Sequence, residues 1–448
     1  MIGSILEVLI RQQALWLGEQ ERFWRRMACV PRALQLARDT QVGTTPHEVV
    51  FQDGSLRLLR YRRETRAAFS EPVLFCYALV NRSYILDLQP DKSVVRQYLQ
   101  RGFDAYMIDW GVPSRADRGL RLEDYLGGAL KRVVDFVLRE HRSERLHLLG
   151  YCMGGTMSAI FTALYPELIR TLTLLASPID FADRESLANL WADEKYFDVD
   201  AFVDTHGNCP AAFLQACFLF MRPVQNLIEK QLAFWDRIED PRFIASYFAM
   251  EQWVNDNIPV AGETFREFVR RFYQRNELVR GEFCLGPRPV DLRRIRCPLL
   301  LLTAKNDHLV VPESTNGIRP HTRSRDVKAT TIDAGHVGLV VSGKAQREFW
   351  PEATRWLAER SVKRVETTAG ESERSLSPRS AAEDAPCAQL AAAKPSYDMH
   401  PAVSDARGEA HGHRQEFACL PAEQGTERQI GHDADPAASP IGDPPACD

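Results

Sequence analysis

The chain has 448 residues, 45% of them hydrophobic, and a formal net charge of −4. That length accommodates one large domain with additions, or two or three ordinary ones, and the charge gives no basis for nucleic-acid binding. The ten cysteines form no C-x-x-C pair and no regular framework, which speaks against a zinc site or a disulfide scaffold and suits a reducing cytoplasm.

Residues 1–40 read as helical, with Ile5, Leu6, Leu9 and Ile10 on one face and Leu15, Trp16, Phe23 and Trp24 continuing an apolar surface. A helix packed on the domain is the favoured reading, and an amphipathic contact for a partner or a hydrophobic surface is the sharper one. Glu7 and Arg11 interrupt the first apolar stretch, so it is not a secretory signal. No run approaches the roughly 20 apolar residues of a membrane span, so no transmembrane segment is expected.

Residues 47–51 and 56–61 suit an antiparallel hairpin turned by Asp53-Gly54. A buried strand over Val73–Tyr77 follows, then a helix from about Ser93 to Arg101 and a strand over Asp104–Trp110. A helix near Leu122–Glu140 leads into an apolar strand ending at Gly150, and another strand runs over Thr171–Pro178. Strands alternating with helices predict a mostly parallel sheet flanked by helices. From about Phe181 to Arg294 the alternation stops, and a helical, aromatic-rich stretch reads as a cap inserted over a site. The sheet resumes with Cys297–Ala304 and Val327–Ile332, and a last helix spans about Gly343–Arg360.

The expected domains are therefore a helical segment at 1–40, a core from 41–180 and 295–360, a cap at 181–294 and a tail at 361–448. The tail is rich in Ala, Ser, Pro and acidic residues and keeps no apolar period, which predicts disorder. His411, His413, Cys419 and His432 within it match no metal-site spacing.

The chain is organised around Gly150-Tyr151-Cys152-Met153-Gly154. This has the form of the strand–turn–helix nucleophile elbow, with sulfur in place of the usual hydroxyl. The flanking glycines permit close backbone approach, and a helix starting just after Cys152 favours a thiolate. The N–H of Met153 would then point at a developing oxyanion, and a second donor is expected from Val80 or Asn81 in the loop after Val73–Tyr77. Downstream come Asp307 and His336, each in a loop after a predicted strand. The order nucleophile, acid, histidine is that of α/β-hydrolases. His336 would be the general base for Cys152, and Asp307 would fix its tautomer, with Asp333 and His308 as nearby rivals.

These residues carry a resemblance. Tyr77–Arg82, Ile108–Gly111, Gly150–Gly155, Ala261–Phe265, Asn306–Val310 and Gly335–Gly338 are similar to segments of class III polyhydroxyalkanoate synthases, catalytic subunit. The resemblance extends over about residues 1–360, and the tail departs from it. It implies an α/β-hydrolase fold with a helical cap and acyl transfer from (R)-3-hydroxyacyl-coenzyme A, of short chain length. Cys152 would carry the acyl group as a thioester, His336 would activate the thiol, and Asp307 would help activate the hydroxyl for elongation. No metal or redox cofactor is implied. The implied partners are the growing polyester chain and the surface of its cytoplasmic granules, a second non-catalytic subunit and further copies of the chain. A cysteine hydrolase or thioesterase on the same fold is the alternative, since fold alone does not fix function. A non-catalytic granule protein with a relic site is the second alternative.

Overall fold

Eight strands form the central sheet of the protein, seen in a computed structural model that describes residues 2–183 and 186–364. In chain order they are β1 (His47–Asp53), β2 (Leu56–Tyr61), β3 (Val73–Cys76), β4 (Ala105–Asp109), β5 (Leu146–Tyr151), β6 (Ile169–Leu175), β7 (Leu299–Ala304) and β8 (Val327–Ile332). In space they run β1-β2-β4-β3-β5-β6-β7-β8. The first two pairings are antiparallel and the rest parallel. The β1–β2 hairpin turns at Asp53-Gly54, where Gly54 supplies a φ of 60°. β3, β5 and β7 are buried along their whole length, which is why they read as continuous apolar runs rather than alternating ones.

The helices that cover the core begin and end where the sequence supplies caps. In α2 (Val94–Arg101) the Ser93 side chain accepts from Arg96 N, and Gly102 closes the helix at φ 98°. The predicted helix at 122–140 is a π-helical turn, Asp124–Leu130, running into α3 (Lys131–His141). α4 (Met153–Leu164) is buried over all twelve residues and packs behind β5 and β6. The last helix is shorter than expected. Gly338–Val341 forms a separate turn, and the chain is helical again over Ala345–Phe349 and Trp350–Ala358.

Between β6 and β7 the chain is helical in α5 (Leu187–Ala192), α6 (Val199–His206), α7 (Ala211–Met221), α8 (Lys230–Asp236), α9 (Pro241–Asn255) and α10 (Gly262–Phe268). A two-stranded ribbon, Cys284–Leu285 with Arg288–Pro289, breaks the helical character near the end of this stretch. Among the described residues no single helix is long and apolar enough to cross a membrane, although α7 and the 224–236 segment together form an apolar pair bent by 97°.

The N-terminal helix α1 (Ile2–Asp39) packs on the domain, as expected, through its second half, while side chains of its first half are exposed. Its second half packs: Cys29, Val30, Ala33 and Leu36 meet Ile238, Ile244, Phe234 and Phe248. Trp16 and Trp24 are 60% and 64% exposed. Periodicity marks an apolar face without saying whether this chain covers it. At the other end, the Ser361 boundary falls inside the folded unit. Ser70 N donates to Val362 O, Phe69 pairs with Lys363, and Arg364 N donates to Ala68 O. The remainder of the expected tail, from residue 365 with its histidines and Cys419, lies outside the described residues.

Candidate active site

Cys152 stands between the end of β5 and the start of α4 with φ 54° and ψ −129°. A non-glycine residue rarely adopts such a backbone, and the strain is held by its surroundings. Cys152 N donates to Leu175 O at 2.9 Å, and Cys152 O accepts from Gly155 N at 2.8 Å. Glycine is required at the next turn for a different reason. A Cβ on Gly154 would fall against the carbonyl oxygen of Cys76 and 2.7 Å from the carbonyl carbon of Tyr77. The loop after β3 thus runs directly over the first turn of α4.

Asp307 lies just beyond β7 and His336 just beyond β8, and parallel pairing of the two strands brings them together. Asp307 Oδ2 is 2.7 Å from His336 Nδ1, and the carboxylate is fully buried while the ring is 15% exposed. Asp307 Oδ1 accepts from the backbone N–H groups of Leu309 and Val310 at 3.0 and 2.9 Å. The Cys152 side chain is the other neighbour that favours a proton on the His336 ring. Burial opposes charge on this imidazole, but the negative charge of Asp307, the influence of the nearby Cys152 side chain and the hydrogen bond to Asp307 outweigh burial and raise its pKa to about 10. The arrangement can therefore hold a proton on the ring beside the Cys152 side chain.

The rivals make other contacts nearby. Asp333 accepts from Asn306 Nδ2 at 2.7 Å. His308 is exposed, and partial desolvation with the nearby Arg222 cation pulls its pKa down. Met153 is buried in the first turn of α4. Val80 packs between the main core and a cap cluster containing Phe202, Phe213 and Phe265. Asn81 has a φ of 66°, and its Oδ1 accepts from Arg82 N at 2.7 Å. That loop is tied to the cap at the C-terminal end of α9: Trp253 Nε1 donates to Arg82 O at 2.8 Å, and Arg82 and Tyr84 both donate to Asp256 at 3.1 Å.

Three tyrosines were not legible in the sequence as neighbours of the sulfur. Burial raises the phenol pKa of Tyr77, Tyr151 and Tyr273, and each also feels negative charge at Cys152. The Tyr151 ring stacks on His336 with centroids 5.1 Å apart, and its hydroxyl donates to His336 O at 3.3 Å. Their sequence signals are Tyr151's place inside the elbow and Tyr77's place at the head of the Tyr77–Arg82 segment. Among the described residues no group of three or more His, Cys, Asp or Glu is placed to hold a metal ion.

The family profile described as alpha/beta hydrolase fold matches residues 71–341, in agreement with the sheet. The profile of the Poly-beta-hydroxybutyrate polymerase (PhaC) N-terminus matches residues 31–99. The poly(3-hydroxyalkanoate) polymerase subunit PhaC of Haloferax mediterranei is 39% identical over 373 residues, covering 83% of this chain and 76% of that protein. The subunit of the same name from Allochromatium vinosum is 39% identical over 326 residues, covering 72% of this chain and 91% of that one. Among solved structures, a monoacylglycerol lipase from Paleococcus ferrophilus covers 66% of this chain and is itself covered to 99%, at 17% identity and a TM-score of 0.40. With the polymerase relatives matched over most of both sequences, and with the sheet and the N-terminal profile in agreement, the chain belongs to the poly(3-hydroxyalkanoate) polymerase PhaC family, of the class III type.

Proposed function

We propose that this protein is the catalytic subunit of a polyhydroxyalkanoate synthase. It polymerises (R)-3-hydroxyacyl-coenzyme A, with short acyl groups such as 3-hydroxybutyryl, and releases coenzyme A. The observation that carries this reading is the Asp307–His336 hydrogen bond beside Cys152 on its strained turn.

Cys152 sulfur attacks the thioester carbonyl, the N–H groups of Met153 and Val80 hold the oxyanion, and the bond to coenzyme A breaks. The departing coenzyme A sulfur takes the proton from His336 and leaves as the thiol. In elongation the 3-hydroxyl of an acyl unit gives its proton to His336, aided by Asp307, and attacks a second acyl thioester. An ester bond forms and the sulfur is freed. Exchange of one thioester for another needs no metal or redox cofactor, because the substrate arrives activated. The aromatic cluster around Val80 supports exclusion of water from the acyl-enzyme.

Granule association, a second non-catalytic subunit, self-association and a cytoplasmic location belong to the same proposal. The apolar side chains exposed on α1 (Leu15, Trp16, Trp24) and near α8 (Ile228, Leu232) support a hydrophobic partner surface. The free thiols at Cys76, Cys209 and Cys297 suit a reducing compartment.

Intact-protein mass spectrometry after brief mixing with 3-hydroxybutyryl-coenzyme A tests the covalent step. A mass increase of one or more hydroxybutyryl units on Cys152, absent in Cys152→Ala, is expected. Acylation that persists in Cys152→Ala contradicts the assignment.

A further inference from the structure

The parallel strands begin on the side of the sheet away from Cys152, with Leu146, Ile169 and Leu299 as the first residues of β5, β6 and β7. Around these starts lies a cavity of about 560 Å³, within the size range of small-molecule sites. Its wall carries Arg145, Arg170, Arg296 and Arg360 against two acidic side chains, Glu167 and Glu359.

The four arginines fall into two pairs. Arg170 and Arg360 are braced: Arg170 Nε donates to Arg360 O at 2.7 Å and lies 3.6 Å from Glu71. Arg360 forks onto both oxygens of Asp326 at 2.7 and 3.0 Å and stands 3.6 Å from Glu359. Arg145 and Arg296 are different. Among the described residues, neither guanidinium has a hydrogen-bond or ion-pair partner. Both guanidinium groups are exposed to solvent and keep their donors free at the wall of one concavity. A planar guanidinium offers paired N–H donors in the geometry that phosphate oxygens accept, and two of them lining one cavity provide donors for a ligand with two phosphoryl groups. The charges of the braced pair are offset by Glu71, Asp326 and Glu359, which leaves the two free guanidinium groups as the donors for a ligand.

We infer that this cavity binds a small diphosphate-bearing anion, either free pyrophosphate or a nucleoside diphosphate. The site is separate from the Cys152 region, since β5 spans the sheet between the two, from Leu146 at the cavity's end to Tyr151 beside the sulfur.

The test is isothermal titration calorimetry on the full chain with sodium pyrophosphate and, separately, with ADP. Saturable binding is expected, at least about tenfold weaker in Arg145→Gln/Arg296→Gln, because two charge-assisted contacts are lost. Both side chains are exposed, so the variant should keep the wild-type melting temperature and its rate of coenzyme A release. The single variant Arg296→Gln should fall between the two. Tighter binding of ADP marks the site as one for nucleotides, and tighter binding of pyrophosphate marks it as one for the free anion. Equal affinity in wild type and double variant, or no saturable binding of either anion, overturns the inference.

Discussion

Asp307 holds His336 through a 2.7 Å hydrogen bond from Nδ1 to Oδ2, while its other oxygen is fixed by the N–H groups of Leu309 and Val310. The carboxylate is therefore immobile, and the far side of the ring is left to face Cys152. His336→Gln removes the proton carrier and should slow acylation by roughly 10²–10⁴-fold. Asp307→Asn should retain measurable acylation but lose chain elongation. Rapid-quench measurement of coenzyme A release, set beside polymer length, separates the two steps. Equal loss of both steps in Asp307→Asn contradicts this division.

The raised pKa of His336 has a consequence for stability. The folded value is about 10 and the ordinary value 6.5, so the folded state binds the proton more tightly. The stabilisation is complete below about pH 6.5 and is lost as pH rises through about 10. Urea unfolding should therefore find wild type ahead of His336→Gln by its full margin near pH 6 and by a shrinking margin in the alkaline range. A pH-independent difference would show that the ring does not carry this proton.

His147 behaves in the opposite sense. Its ring is fully buried between Thr171 Oγ1 at 2.8 Å and Ser361 Oγ at 2.9 Å, and burial with the nearby Arg170 cation lowers its pKa to about 3. The unfolded chain binds this proton from about pH 6.5 downward and the folded chain does not. Stability is then complete above that pH and falls on acidification by up to ~1.4 kcal/mol per pH unit from this one group. His147→Gln, which cannot titrate, should show a shallower fall between pH 7 and pH 5 in urea unfolding. Parallel curves would contradict the assignment.

Gly154→Ala tests the close approach of the β3 loop to the elbow helix. The new methyl would meet backbone atoms of Cys76 and Tyr77, which cannot rotate away. We expect a loss of ~1–3 kcal/mol and a lower melting temperature, together with lost activity because the loop bearing Val80 must shift. Wild-type stability and rate would mean that the loop yields freely.

Much of this architecture is legible in the sequence for a physical reason. Buried parallel strands such as Leu299–Ala304 must be apolar throughout, and the elbow needs Gly150 and Gly154 at fixed offsets from Cys152. Chain order then brings Asp307 and His336 to one edge of the sheet. Contacts between distant, chemically ordinary residues carry no such signature. Asp87 is buried and accepts from Thr45 Oγ1 and Ser93 Oγ, both at 2.6 Å, yet in sequence it is one acid among many. The Trp253–Arg82 bond, 171 residues apart, and the exposed face of α1 are equally silent, since each depends on what packs where.

Product analysis with purified chain and 3-hydroxybutyryl-coenzyme A tests the central claim most directly. The expected result is coenzyme A release matched by ester-linked 3-hydroxybutyrate oligomers, in wild type and not in Cys152→Ala. Release of coenzyme A with only free 3-hydroxybutyric acid would make the protein a thioesterase and contradict the account.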